Sequence, residues 1–444
     1  MLHYFTWIVG AACLCCSSAC RQNASHLPTE ERHERTRDFA SVGWPTLNGP
    51  DGKNVSYEQN LRWSWENDRP EELWKVKVGT GYGSPVAVPN HVIVLHRLGN
   101  DELVESFHPE TGESQWQFRY PTTYSCEYDY SNGPYSTPVI DGDRVYAVGA
   151  EGQLHCLAIA DGSLVWERLL QDDFQKSEQL FCVGASPIVE GELIIFNLGS
   201  VKDDAGLVAF DKANGETRWA ATNYKAGYAT PVAATIHGQR IVFVVTYEGL
   251  VAIESETGKV LWDYQMKSNM AMTVNATSPI VDDDCVIMST GPGPGTVCLR
   301  VLRDGQHEEK WRIKRGLDSQ YSSMILVDGH LYGFSSLLNR GTFRCVDLAT
   351  GDERWQYASN LRRGQALAVD DRIVVLGEFG HLAVFDINSR EPSLRSITED
   401  SVLNPPCYSA PALANGLLYL RNEEVLLCFD LRSGVAQKTS GVDQ

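Results

Sequence analysis

The residues of this chain best suited to meet a ligand are tyrosines that recur at a fixed place. Three residues before the Pro, or its counterpart, that opens each hydrophobic inner segment, the sequence reads Tyr82, Tyr135, Gly184, Tyr228, Ala276, Tyr321, Gly364 and Tyr408. Phenol rings stack on planar or apolar groups while their hydroxyls hydrogen-bond, and tyrosine is enriched at binding surfaces for that reason. The same column also suits wedges between neighbouring units, with the ring buried and the hydroxyl wet. Two long connections add to it. The stretch from Tyr120 to Ser136 holds Tyr124, Cys126, Glu127, Tyr128, Asp129 and Tyr130, and that from Leu170 to Ala185 holds Asp172, Asp173, Phe174 and Phe181. Long loops on one face of a repeat array carry its specificity. Their aromatic and acidic content suits a protein, peptide or glycan better than a phosphate. The candidate partner face is therefore Tyr82, Tyr135, Tyr228, Tyr321 and Tyr408, joined by Tyr128 and Tyr130.

Signatures of catalysis are missing. The sequence has no His-Glu-x-x-His, no Gly-x-Ser-x-Gly and no EF-hand loop. Gly291-Pro292-Gly293-Pro294-Gly295 has the look of a phosphate loop, but Thr296 to Leu299 then reads as a strand, so no helix N-terminus is available and a hairpin is expected. The acidic groups Asp282-Asp283-Asp284 and Asp370-Asp371 stand where other copies carry Asp141-Gly142-Asp143 or Glu190-Gly191-Glu192, and two-residue turns favour such residues without any metal. No catalytic, cofactor-binding or metal-ligating residue is assigned, and no cofactor is expected.

Of the 12 cysteines, Cys13, Cys15, Cys16 and Cys20 fall at the amino terminus. Cys156, Cys298, Cys345 and Cys428 share a column with Ser106, Ala209, Ala252 and Val384, so they are expected to be small buried thiols. Cys126 and Cys182 lie on consecutive connections of one face, which leaves a disulfide open to them. There is no Cys-x-x-Cys for redox exchange or haem attachment.

These residues are positioned by a repeat. Trp116, Trp166, Trp219, Trp262, Trp311 and Trp355 each end a strand-turn-strand segment. The best copies run Ala209-Phe210-Asp211 to Gly215 to Trp219, Ala252-Ile253-Glu254 to Gly258 to Trp262, and Cys345-Val346-Asp347 to Gly351 to Trp355. A period of roughly 40 to 55 residues built from short strands indicates propeller blades. The seventh copy places Val384, Asp386, Arg390 and Leu394 in the pattern, and the eighth, with Cys428, Asp430 and Gly434, ends at Lys438 without its tryptophan. A spare strand around Trp74, Leu73 to Gly79, precedes the first copy. Unpaired strand edges invite aggregation, so the spare strand is expected to complete the last blade and close an all-β, eight-bladed propeller.

The pattern small-x-Asp-x-x-x-Gly-x-x-x-Trp, over roughly residues 71 to 438, resembles the pyrroloquinoline quinone (PQQ) repeat superfamily of quinoprotein-like propellers. The run Trp44-Pro45-Thr46-Leu47-Asn48-Gly49-Pro50, followed by Gly81-Tyr82-Gly83-Ser84-Pro85, is similar to the opening of PQQ-like repeat proteins of exporting bacteria. The resemblance implies the fold. For function it implies either of two classes, quinone-dependent dehydrogenases or non-catalytic scaffolds such as the propeller lipoprotein of the outer-membrane barrel assembly machinery. Quinone-dependent alcohol dehydrogenases of this superfamily commonly use a vicinal cysteine pair, which the sequence after Cys20 lacks.

The ends of the chain and its charge complete the reading. Residues 1 to 19 have no Asp, Glu, Lys or Arg and an apolar run too short to span a membrane, the pattern of an export signal ahead of Cys20, a candidate for lipidation. Residues 20 to 70 read as a tether and a strap, 71 to 438 as the propeller and 439 to 444 as a tail. With 38 basic and 57 acidic residues the net charge is −19, which opposes binding to nucleic acid or an anionic membrane. The expected function is a monomeric, exported envelope scaffold that binds a protein or other envelope component through one propeller face. The alternative is a PQQ- and calcium-dependent dehydrogenase acting on an alcohol or sugar, and glycan binding is a weaker third reading.

Overall fold

Alternating apolar residues in segments of three to eight, separated by Gly- and Asp-bearing turns, fold into eight small antiparallel sheets set around a central channel. The computed structural model describes residues 43–65, 69–128, 130–175, 181–267, 274–335 and 341–433. The segment 1–19, Cys20, Asp129, Gly434, Lys438 and the tail 439–444 lie outside these residues.

Blades 1 to 8 open on the inner strands Val86–Val88, Val139–Asp141, Ile188–Glu190, Val232–Ile236, Ile280–Asp282, Ile325–Val327, Gly364–Val369 and Ala412–Ala414. Each of blades 1 to 7 ends on its own outer strand: Ser114–Pro121, Leu164–Leu169, Thr217–Ala221, Val260–Gln265, His307–Ile313, Glu353–Ala358 and Ser393–Ile397. Blade 8 takes its outer strand from the amino-terminal side, Glu71–Lys77, which pairs antiparallel with Val425–Asp430. The ring closes in this way and leaves no blade with an open third strand.

The motif acts between blades as well as within them. Its small residue faces the tryptophan across the outer strand pair: Ser106 and Trp116, Cys156 and Trp166, Ala209 and Trp219, Cys298 and Trp311, Cys428 and Trp74. Except at Trp262, whose indole nitrogen has no partner among the described residues, the indole nitrogen then donates to a carbonyl of the next blade, as in Trp116 to Ile159 at 2.8 Å and Trp74 to Pro109 at 2.7 Å. The motif glycine lies under the indole of the preceding blade. A Cβ on Gly162 would lie 2.4 Å from Trp116, and its φ of +72° independently calls for glycine. The motif Asp caps its own turn, Asp211 accepting from the Ala213 amide at 2.9 Å.

Blade 7 departs from the sequence reading. Val384 faces Ser396, not Leu394, which is displaced to pair with Phe385 because the preceding turn is longer. Gly291 to Gly295 is the expected hairpin, between Cys285–Thr290 and Gly295–Val301. The cysteines of the small-residue column are buried free thiols.

The strap crosses the channel. Trp44 exchanges backbone hydrogen bonds with Ala87 of blade 1, and the Pro45 carbonyl accepts from Ile140 of blade 2. The Asn48 side chain accepts from Ser323 at 3.1 Å, Asn54 donates to the Met324 carbonyl at 3.0 Å, and Val55–Ser56 adds a parallel strand to the inner edge of blade 7. One segment therefore ties together blades on opposite sides of the ring.

Candidate functional site

The connections from outer strands to the next inner strands all reach one face, and the tyrosine column converges there. Tyr82, Tyr135, Gly184, Tyr228, Ala276, Tyr321 and Tyr408 line one cavity of about 180 Å³ at the channel mouth, so of the column only Gly364 is not in its wall. The rings form a chain. Tyr321 and Tyr408 centroids are 5.2 Å apart, Tyr408 and Tyr82 5.2 Å, and Tyr82 and Tyr135 4.8 Å. Phe181 of the second long connection continues it, 6.1 Å from Tyr135 and 5.9 Å from Tyr228, and it also touches Tyr128 and Tyr130. Edge and tilted geometries suit aromatic quadrupoles.

The hydroxyls divide the two roles that the sequence left open. Those of Tyr82 and Tyr135 hold Ser131, the first accepting its amide at 3.1 Å and the second donating to its carbonyl at 3.1 Å. Tyr228 accepts the Phe181 amide at 2.8 Å. Three of the five tyrosines thus carry the two long loops. Tyr321 has a buried hydroxyl with no hydrogen-bond partner among the described residues. Burial pushes the Tyr82, Tyr135 and Tyr321 hydroxyls above the usual phenol range, so they remain neutral.

Polar groups that no sequence motif announces support this wall. Arg363 lies over the Tyr321 ring at 5.1 Å and is gripped by Glu378 at 2.7 and 2.9 Å. Gln365 donates to the Tyr321 and Tyr408 carbonyls, so blade 7 braces its neighbours where the column has glycine. Arg421 is fully buried at the closure and donates to the carbonyls of Gly79, Gly81, Gly83 and Leu95, each at 3.0 Å. It fixes the loop that bears Tyr82. An isolated Arg in a strand pattern gives no sign of such a role, because its acceptors come from the opposite end of the chain. Leu47 of the strap also lines the cavity, so the mouth is a cup with a floor.

Cys126 and Cys182, the pair left open to a disulfide, stand as free thiols in this structure. Cys126 engages the Tyr124 hydroxyl, whereas buried Cys182 turns to the Tyr135 backbone. Tyr128 and Tyr130 stand on the rim, 38% and 49% exposed. Leu98, Val201, Tyr247 and Phe379, at the turns between second and third strands of blades 1, 3, 4 and 7, are exposed on the same face.

A pyrroloquinoline quinone with calcium does not fit this wall. Its carboxylates need cations, yet Arg363 is already held by Glu378. Among the described residues no three or more His, Cys, Asp or Glu side chains converge as a metal site.

Comparison with known proteins agrees with this architecture. Residues 100–357 match the family model described as "Outer membrane protein assembly factor BamB". A curated relative of that name from Burkholderia pseudomallei is 25% identical over 259 residues, 55% of this chain and 61% of the relative. The chain thus matches about three fifths of that relative's length. The crystal structure of BamB from Moraxella catarrhalis superposes with a TM-score of 0.60 at 15% identity, covering 83% of this chain and 99% of that one. Quinohemoprotein alcohol dehydrogenase from Comamonas testosteroni gives 0.60 at 12% identity, covering 93% and 84%. At these identities both structures speak for the fold alone. The family match spans more than half of the sequence, from the third strand of blade 1 to the outer strand of blade 6, and the chain belongs to the PQQ-repeat family described as outer membrane protein assembly factor BamB.

Proposed function

We propose that this protein is a non-catalytic propeller scaffold of the cell envelope that binds a protein partner through its tyrosine-rich mouth. The observation that carries the reading is the pairing of an aromatic cup with exposed apolar side chains at the turns around it. Large apolar groups held in water around a concavity mark an interaction site. The name of the relatives, an outer membrane protein assembly factor, supports a protein partner in the envelope. Export through residues 1 to 19 and acylation of Cys20 belong to the same proposal, and they would place the ring on a tether beside a membrane.

A photo-cross-linking residue at Tyr130, compared with one at Val260 on the outer strand of blade 4, tests it in intact envelopes. A discrete adduct from position 130 and none from 260 is expected. Equal labelling at both positions, or no adduct at 130, would sink the proposal. Metabolic labelling with palmitate tests the anchor, with Cys20→Ser expected to abolish incorporation.

A further inference from the structure

The tyrosine cup has a neighbour of opposite character. Between the two long loops lies a second cavity of about 500 Å³, whose walls include Glu127, Glu151, Tyr124, Tyr128 and Phe174. Both charged side chains in its wall are acidic, and no Lys, Arg or His of the described residues lines it. Glu151 is aimed by three short hydrogen bonds, from the Thr122 hydroxyl at 3.0 Å and from the Thr123 amide and hydroxyl at 2.9 and 2.8 Å. Burial raises its pKa, but these bonds outweigh that and hold it below the usual carboxylate range. An oriented carboxylate flanked by aromatic faces suits a cation, by charge and by cation–π attraction. Phe181 lines both cavities and divides them. In an extended chain, side chains two residues apart project to the same side at a spacing of about 7 Å, close to the thickness of one intervening ring and its contacts.

We infer that this face takes an extended segment of a protein partner that carries an apolar side chain and, two residues away, a lysine or arginine. The apolar side chain enters the tyrosine cup and the cation enters the anionic cavity, with Phe181 between them. The inference rests on the protein-binding reading of the mouth and adds the partner's chemistry. The complementarity of Glu127 and Glu151, the charged side chains that the described residues bring to this wall, to a basic side chain selects this occupant over an acidic one.

The test uses the full mature chain and labelled peptides of one length in a Gly/Ser frame, carrying Phe-x-Lys, Phe-x-Gln, Phe-x-Glu or Ser-x-Lys, read by fluorescence anisotropy. The Phe-x-Lys peptide is expected to bind about tenfold more tightly than Phe-x-Gln, and the gap is expected to shrink as salt is raised. In the Glu127→Gln/Glu151→Gln double variant, checked for an unchanged melting temperature, the gap should fall to about twofold or less. Equal binding of Phe-x-Lys and Phe-x-Gln, both weakened by Tyr130→Ala, would overturn the charged half while leaving the mouth a binding face. Failure of Phe-x-Lys to bind, or a gap unchanged in the double variant, overturns the inference. So does preference for a neutral oligosaccharide over every peptide. Cross-linking at Tyr130 reports on the mouth independently of these outcomes.

Discussion

The tyrosines of the mouth share a position in the repeat and differ in what their hydroxyls do, which single substitutions can read out. Tyr228→Phe removes the acceptor of the Phe181 amide and should cost about 1 kcal/mol, with faster hydrogen exchange at that amide. Tyr321→Phe removes a buried hydroxyl that has no partner among the described residues and should be neutral or stabilising by about 1 kcal/mol in urea unfolding. Arg421 stands at the other extreme. Arg421→Met strands four carbonyls at the ring closure and should cost about 3–5 kcal/mol, and Arg421→Lys should recover less than half of that because an ammonium cannot reproduce the planar fork. Equal stability of the Met and Lys variants would show that the fork geometry is not what matters.

Single blades are held by the interlock of a turn with the tryptophan of the preceding blade. Gly162→Ala places a methyl against Trp116 and should cost about 2–3 kcal/mol, whereas Gly142→Ala, in open space at φ +56°, should cost only the backbone strain of about 1 kcal/mol. Comparable losses at both sites would mean that the indole contact adds nothing. A second element-scale device joins blades 1 and 2, where buried Glu102 accepts from the Tyr120 hydroxyl at 2.8 Å and from the Ala150 amide at 3.2 Å. Burial pushes its pKa up to about 7 from 4.5, against the pull of those hydrogen bonds. A folded-state pKa above the unfolded one means that the proton stabilises the fold. That contribution, roughly 3 kcal/mol, is fully present below pH 4.5 and is lost as pH rises through 7. Glu102→Gln should therefore gain stability relative to the parent chain between pH 5 and pH 7.5 in paired denaturation curves. A difference that stays flat with pH would place the titration elsewhere.

At the scale of the whole molecule, stability depends on an amino-terminal strand meeting the last blade. A chain beginning at Tyr57 loses the strap but keeps Glu71–Lys77, and it should remain a monomer with a lower melting temperature. A chain beginning at Val78 leaves Val425–Asp430 as an open hydrophobic edge and should self-associate in light scattering. Similar behaviour of the two chains would mean that the closing strand is dispensable. The strap has a further effect: with Leu47 in the floor of the cup, its loss should also alter binding at the mouth.

Repetition is why so much of this was legible in the sequence. A motif copied around a ring must satisfy the same contacts in each blade, so the tryptophans, their small partners and the orphan strand at Trp74 announced eight blades and their closure. The tyrosine column was legible for the same reason, since equal places in equal blades meet at one mouth. Where copies drift, local pattern misleads, as at Leu394, whose longer turn hands its place to Ser396. What the tertiary structure alone decided lies where distant segments meet without a repeat to predict them. Arg421 finds carbonyls more than 300 residues away, Leu47 enters the floor of a cup walled by other blades, and Phe181 sets an aromatic cavity beside an acidic one. The long loops that form that boundary are unique in length and composition. Their resting place follows from the hydroxyls of Tyr82 and Tyr228, which reach them from separate blades as no spacing along the chain encodes, and from that of Tyr135, which closes on Ser131 within its own loop.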